Sequence, residues 1–152
     1  MEPKIVSKPA FTVVGMHYRG MNQNQEITKM WEVFGPRIRE IPYKVNSRLS
    51  YGICLMPGDL AEGEIDYMAG LEVERLEGIP VGMSSCVVPA QQYAAFPCTL
   101  TTLGKTYEYA LQTWMPNAGY RRAVGPDFEF YGENFSPRHP RYSMMHVYIP
   151  IE

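Results

Sequence analysis

The sequence predicts an α+β fold: a duplicated βαββ unit with pseudo-two-fold symmetry, antiparallel sheets, one main helix per half and a groove between the halves. Three observations predict it. The order strand, helix, strand, strand occurs twice along the 152 residues, and each pass holds one helical apolar stripe among extended segments. Y-M-A-G-L-E-V-E (67–74) lies over M-H-V-Y-I-P-I-E (145–152), matching Leu71 with Ile149 and Val73 with Ile151. S-Y-G-I (50–53) lies over D-F-E-F (127–130), matching Tyr51 with Phe128 and Gly52 with Glu129. The chain then reads as one domain, 1–152, with halves of about 1–75 and 80–152.

Each element has its own signal. F-T-V-V-G-M-H-Y (11–18) is rich in β-branched and aromatic residues and predicts a strand. From about Gln25, the residues Ile27, Met30, Trp31 and Phe34 recur at helical spacing. Gly35-Pro36 breaks or kinks that helix, and Ile38 and Ile41 continue its apolar face. L-S-Y-G-I-C-L-M (49–56) and I-D-Y-M-A-G-L-E-V-E (65–74) are the next strands, joined by the turn-rich P-G-D-L-A-E-G-E. After the link R-L-E-G-I-P-V-G (75–82), residues 81–96 are extended. The second helix spans 99–116, with Leu103, Tyr107, Ala110, Leu111 and Trp114 on one stripe and Pro116 as its stop. The strands 126–132 and 141–152 close the second pass.

Composition excludes several classes of function. Hydrophobic residues make up 45% and charged residues 20%, as in ordinary globular domains. A net charge of −2 with scattered lysines and arginines leaves no electrostatic footprint for nucleic acid. No apolar run approaches a membrane span, and the N-terminus M-E-P-K-I-V-S-K-P has no signal-peptide core. The 3 cysteines (Cys54, Cys86, Cys98) contain no C-x-x-C and read as reduced thiols of a cytoplasmic protein. His17, His139 and His146 lack metal-ligand spacing, and no phosphate-binding or nucleophile-elbow motif occurs, so no metal or cofactor is expected. The 10 methionines and 11 tyrosines suit either core filling or a soft aromatic pocket.

The candidate site starts from G-P-D-F-E-F-Y-G-E (125–133), a strand-like stretch with a carboxylate at its centre. Side chains alternate along a strand, so Phe128 and Phe130 share one face while Asp127, Glu129 and Tyr131 share the other. That second face is either plain solvent or the lining of a pocket that wants negative charge. Gly52 and Gly70 stand where the second half has Glu129 and Tyr148, and a strand glycine often marks a close approach. A groove roomy on one wall and armed on the other follows. On the same parity argument Tyr148, His146 and Met68 face the groove, whereas Tyr51 and Tyr67 fall on the helix-covered face. Trp31, Trp114 and Phe96 are further aromatic candidates for its walls.

A-Q-Q-Y-A-A-F, T-W-M-P-N-A-G-Y, P-D-F-E-F-Y and the terminal V-Y-I-P-I, with F-T-V-V-G, Trp31, Y-G-I-C and Y-M-A-G-L-E-V in the first half, resemble the GyrI-like family. That family supplies the effector-binding domain of AraC- and MerR-type multidrug-responsive activators. The resemblance implies the duplicated βαββ fold and a groove for hydrophobic, cationic small molecules. It places the floor glutamate of F-E-x-Y at Glu129. Some members are described as hydrolases of cyclopropane-type electrophiles that use this glutamate, and another is a gyrase inhibitor. Three functions therefore stand open: ligand sensing or sequestration, hydrolysis with Glu129 as catalytic base, and a module for a protein partner. The domain uses all 152 residues, so the expectation is a stand-alone form that does not itself read DNA.

Overall fold

The structure, a computed structural model, describes residues 2–152. Eight strands form one sheet, and every neighbouring pair is antiparallel. In chain order they are β1 (Lys4–Lys8), β2 (Phe11–Gly20), β3 (Ser50–Leu55), β4 (Ile65–Val73), β5 (Ser84–Val88), β6 (Gln91–Cys98), β7 (Asp127–Tyr131) and β8 (Met145–Pro150). Helix α1 (Glu26–Arg37) lies between β2 and β3. Helices α2 (Leu103–Tyr109) and α3 (Met115–Ala118), joined by a π-helical turn at Ala110–Trp114, lie between β6 and β7. No helix is long and apolar enough to cross a membrane among the described residues.

The sheet order β1-β6-β8-β7-β3-β4-β2-β5 places the seam between the halves at β7 and β3. It also exchanges the outer strands: β1 borders the second half and β5 the first. One register runs through both exchanges, from Lys4↔Ala95 to Lys8↔Gln91 and then from Phe11↔Val88 to Gly15↔Ser84. The β1–β2 and β5–β6 segments thus form a single two-stranded ribbon. It is interrupted at Pro9-Ala10 and Pro89-Ala90, where proline has no N–H to give the ladder. Because this ribbon joins the two ends of the sheet, the sheet curls on itself. Its inner face is filled by Val13, Ile53, Met68, Tyr93 and Phe128, all nearly or fully buried without helix cover.

The outer face carries the helices. Met30 and Phe34 of α1 pack on Val14, Ala69 and Leu71 of β2 and β4. Ala110 and Met115 pack on Phe96, Val147 and Ile149 of β6 and β8. The matched core pairs Leu71/Ile149 and Val73/Ile151 are buried under the helices of their own halves.

Two expectations are corrected, at Pro116 and at the last strand, and one strand is new. β1 lacks any strong periodicity in the sequence and acquires its strand form only from pairing with β6. Helix α1 ends at Arg37, one residue past Pro36, and tightens into a 3-10 turn at Ile38–Glu40, with Ile38 and Ile41 continuing its apolar face as expected. Pro116 does not stop the second helix. The π turn before it inserts a residue, so the buried positions run Thr106, Ala110, Met115, and Leu111 turns out to solvent. Pro116 then sits at the start of a fresh α-helical turn, where a missing N–H costs little, and the helix ends at Gly119 with φ 78°. Finally, the last strand begins only at Met145, because 141–144 lie outside the ladder.

Candidate functional site

Helix α1 covers β2 and β4, and α2 covers β6, so the outer face over the β3–β7 seam has no helix on it. A cavity of about 880 Å³ occupies this gap. Cys54, Tyr67, Glu129 and Tyr131 form its floor; Thr28, Trp31 and Gly35 of α1, with Ile38 of the 3-10 turn that follows it, form one wall. Leu100 and Leu103, at the start of the second helical segment, form the other, and Phe135, after β7, closes one end.

The floor is organised around one oxygen atom. Tyr131 donates its hydroxyl to Glu129 Oε1 at 2.6 Å, and Tyr67 donates to the same oxygen at 2.8 Å. Trp31 Nε1–H donates to the Tyr67 hydroxyl at 2.9 Å, so α1 is tied to the carboxylate through one tyrosine. Glu129 Oε2 accepts no hydrogen bond from the described residues. Around the carboxylate the rings meet edge to face: Trp31 and Tyr131 at 5.5 Å between centroids, Tyr131 and Phe135 at 4.6 Å in a tilted pair.

This geometry depends on Gly52. It pairs with Glu129 across the seam, and a Cβ there would collide with the Tyr67 hydroxyl and Glu129 Oε1. The missing side chain is therefore the space in which the carboxylate and the tyrosine meet.

Electrostatics set Glu129 apart from its neighbour. Burial pushes the Glu129 carboxyl above its ordinary titration range; the hydrogen bonds from Tyr131 and Tyr67 pull it back in part, and the charge of Asp127 adds to the rise. Asp127, two residues earlier on the same face, accepts from Arg122 at 3.0 Å and from Tyr107 at 3.1 Å. Glu129 has no Lys, Arg or His partner among the described residues. Burial likewise raises Tyr67 and Tyr131, which keeps both hydroxyls protonated as donors. Burial, and then the nearby carboxylates, push the Cys54 thiol well up, so it stays neutral and a poor nucleophile.

The expected residues are divided between two faces. Glu129, Tyr131 and Trp31 line the groove together. Tyr148, His146 and Met68 do not: Tyr148 pairs with Phe128, His146 with Phe130 and Met68 with Ile53, all on the inner face, while Glu129 pairs with Val147. On sequence parity Tyr51, and with it its match Phe128, falls on the helix-covered face. In the folded chain the helices lie on the Glu129 side, and the groove is the uncovered part of that same face. For the same reason Tyr67 does lie on the helix side, as expected, but Tyr51 points inward to Phe128 and Phe130. Trp114 stacks on Tyr120 at 5.4 Å and meets Phe96 edge-on, so both are core of the second half and do not line the cavity. Tyr67, Leu100, Leu103 and Phe135 also line the groove and lie outside the residues that sequence parity assigns to it. The glycine at 52 signalled the first; E-N-F-S-P around Phe135 has no pattern to find.

The integron-associated effector-binding protein family, Cass2, matches residues 4–151. The transcriptional regulator BrlR of Pseudomonas aeruginosa is 38% identical over 154 residues, covering 99% of this chain and 56% of that protein. The chain thus spans about half the length of this relative. SAV2435, solved bound to tetraphenylphosphonium, superposes with a TM-score of 0.75 at 15% identity, covering 100% of this chain and 94% of that one. The C-terminal domain of EcmrR also gives 0.75, at 13% identity, covering 99% and 97%. At these identities the two structures share the fold. The chain belongs to the Cass2 family of GyrI-like effector-binding domains.

Proposed function

We propose that the groove binds hydrophobic organic cations and that Glu129 is their counter-charge, making the chain a ligand-sensing or ligand-sequestering domain in the control of transcription. One observation carries this: a half-buried carboxylate with no basic partner, held by two tyrosine hydroxyls on the floor of a mostly apolar cavity with aromatic walls. An ionised carboxylate removed from water is costly unless it is hydrogen-bonded and matched by a positive charge. The tyrosines provide the first condition, and a bound cation would provide the second. The rings of Trp31, Tyr131 and Phe135 would add cation–π attraction of about 0.5–2 kcal/mol. The tetraphenylphosphonium bound to SAV2435, which has the same fold, supports the ligand class. The name of the BrlR relative supports the regulatory setting.

The test is calorimetric titration of wild type and Glu129→Gln with tetraphenylphosphonium and with neutral triphenylphosphine oxide. Glu129→Gln is expected to weaken the cation by roughly tenfold or more, or ~1.4 kcal/mol, while the neutral compound changes little. Equal weakening of both, or no binding of either by wild type, would sink the proposal. Each titrated compound is also recovered and checked for conversion. Turnover that disappears in Glu129→Gln would instead make the carboxylate a catalytic base.

A further inference from the structure

Gly35 lies within α1, where glycine is a poor helix former because it gives up the most backbone freedom. The chain shows why glycine is needed elsewhere: Gly52 makes room for Glu129 and Tyr67, and Gly119 has a positive φ. Gly35 has neither reason. A Cβ added to it meets nothing within 4 Å, apart from its own chain neighbours. The proline that follows favours a residue without a Cβ, which accounts for a glycine as far as the backbone is concerned. It does not account for what Gly35 faces. Thr28, Trp31, Gly35 and Ile38 recur at three- and four-residue spacing and all line the cavity, so the wall of α1 is a stripe with one side chain missing.

We propose that this bare patch, between Trp31 one turn before and Ile38 one turn after, is a subsite for an aryl or branched alkyl arm of the ligand. It rests on the reading of Glu129 as the cation site and says which cations are favoured. Trp31 is linked to Glu129 through Tyr67, and Gly35 lies four residues, about 6 Å, farther along α1. On this reading a compact quaternary ion at Glu129 leaves the patch empty, and a multi-aryl cation fills it.

The experiment is run in a Pro36→Ala background, which removes the constraint proline places on residue 35. Gly35→Ala and Gly35→Leu are compared by calorimetry with tetraphenylphosphonium and with tetramethylammonium, which has no aryl or branched arm, and by thermal melting without ligand. The control is Gly104→Ala, a helical glycine in α2 whose Cβ also meets nothing and which does not line the cavity. Both Gly→Ala changes are expected to raise the melting temperature. Gly35→Leu is expected to weaken tetraphenylphosphonium by roughly tenfold or more and tetramethylammonium by less than about threefold. Gly35→Ala is expected to shift the same ratio in the same direction, which keeps the test open if the leucine variant folds poorly. Gly104→Ala should leave both affinities unchanged. Unchanged tetraphenylphosphonium affinity in a folded Gly35→Leu overturns the subsite and leaves the cation site standing. Equal loss of both cations also overturns it, since that is distortion of the whole groove. Failure of wild type to bind either cation overturns the cation site and the subsite with it.

Discussion

Asp127 and Glu129 stand two residues apart on one face of β7, and what separates them chemically is one arginine. Arg122 and Tyr107 satisfy Asp127; Glu129 has only tyrosines and is raised by its burial. A carboxyl raised in the folded state binds more protons there than in the unfolded chain. Its contribution to stability is therefore complete below its unfolded value and is lost as pH rises through its folded value. Ligand-free Glu129→Gln should accordingly melt above wild type at about pH 8, with the gap narrowing as pH falls toward about pH 4. Paired melting curves across that range check it, and a gap independent of pH contradicts it. Cation affinity has the opposite dependence. It falls on acidification, with a midpoint above the ordinary carboxylate range, because protonation removes the counter-charge. At the next atom out, Tyr67→Phe deletes the donor to Glu129 and the acceptor of the Trp31 N–H. The expected cost is about 1–3 kcal/mol in urea unfolding, with a further rise in the Glu129 titration followed by NMR.

At the scale of elements, the site is a consequence of what β3 and β7 leave uncovered. Gly52 opposes Glu129 across the seam, and a methyl group there has no empty volume to enter. Gly52→Ala is expected to cost about 1–3 kcal/mol in chemical denaturation, as overpacking does, and to abolish the Tyr67–Glu129 hydrogen bond. A variant as stable as wild type with unchanged cation affinity would show that the seam can relax. The helices contribute by where they end: α1 reaches across to the second half through Trp31, which packs against the cores of both halves. The π turn keeps Met115 in the core of the second half, on which Leu100 and Leu103 also pack as they face the groove.

At the scale of the molecule, the ribbon binds the halves into one object. β1 completes the second half's side of the sheet and β5 the first half's, in one unbroken register. Each half alone would have an uncovered inner face, since Ile53 and Met68 pack in one cluster with Tyr93 and Phe128. Polypeptides 1–79 and 80–152 are therefore expected to be unfolded separately by circular dichroism and NMR, although each carries a complete βαββ pattern. A cooperatively melting half would refute this.

The sequence by itself determined the repeat, because strand alternation and helical stripes are local and period-bound. It determined Glu129 as the residue to question, since a carboxylate among strand aromatics is anomalous wherever it lies; strand parity made Tyr131 a candidate, and a place on the helical stripe made Trp31 one. It marked Gly52 as a place of close approach, but it set Gly70 beside it on the groove wall, and Gly70 faces inward against Val13. What it could not determine is which face of the sheet lies outside. Alternation separates Glu129 from Phe128 and Tyr148 from Val147, but nothing local states which set meets the helices. That is decided by the closure of the sheet through a ribbon between residues some 80 positions apart, which turns Phe128, Tyr148 and Met68 inward. The same closure leaves the β3–β7 seam open between two helices. The groove is thus a property of the assembled layers, and of no single stretch of the chain.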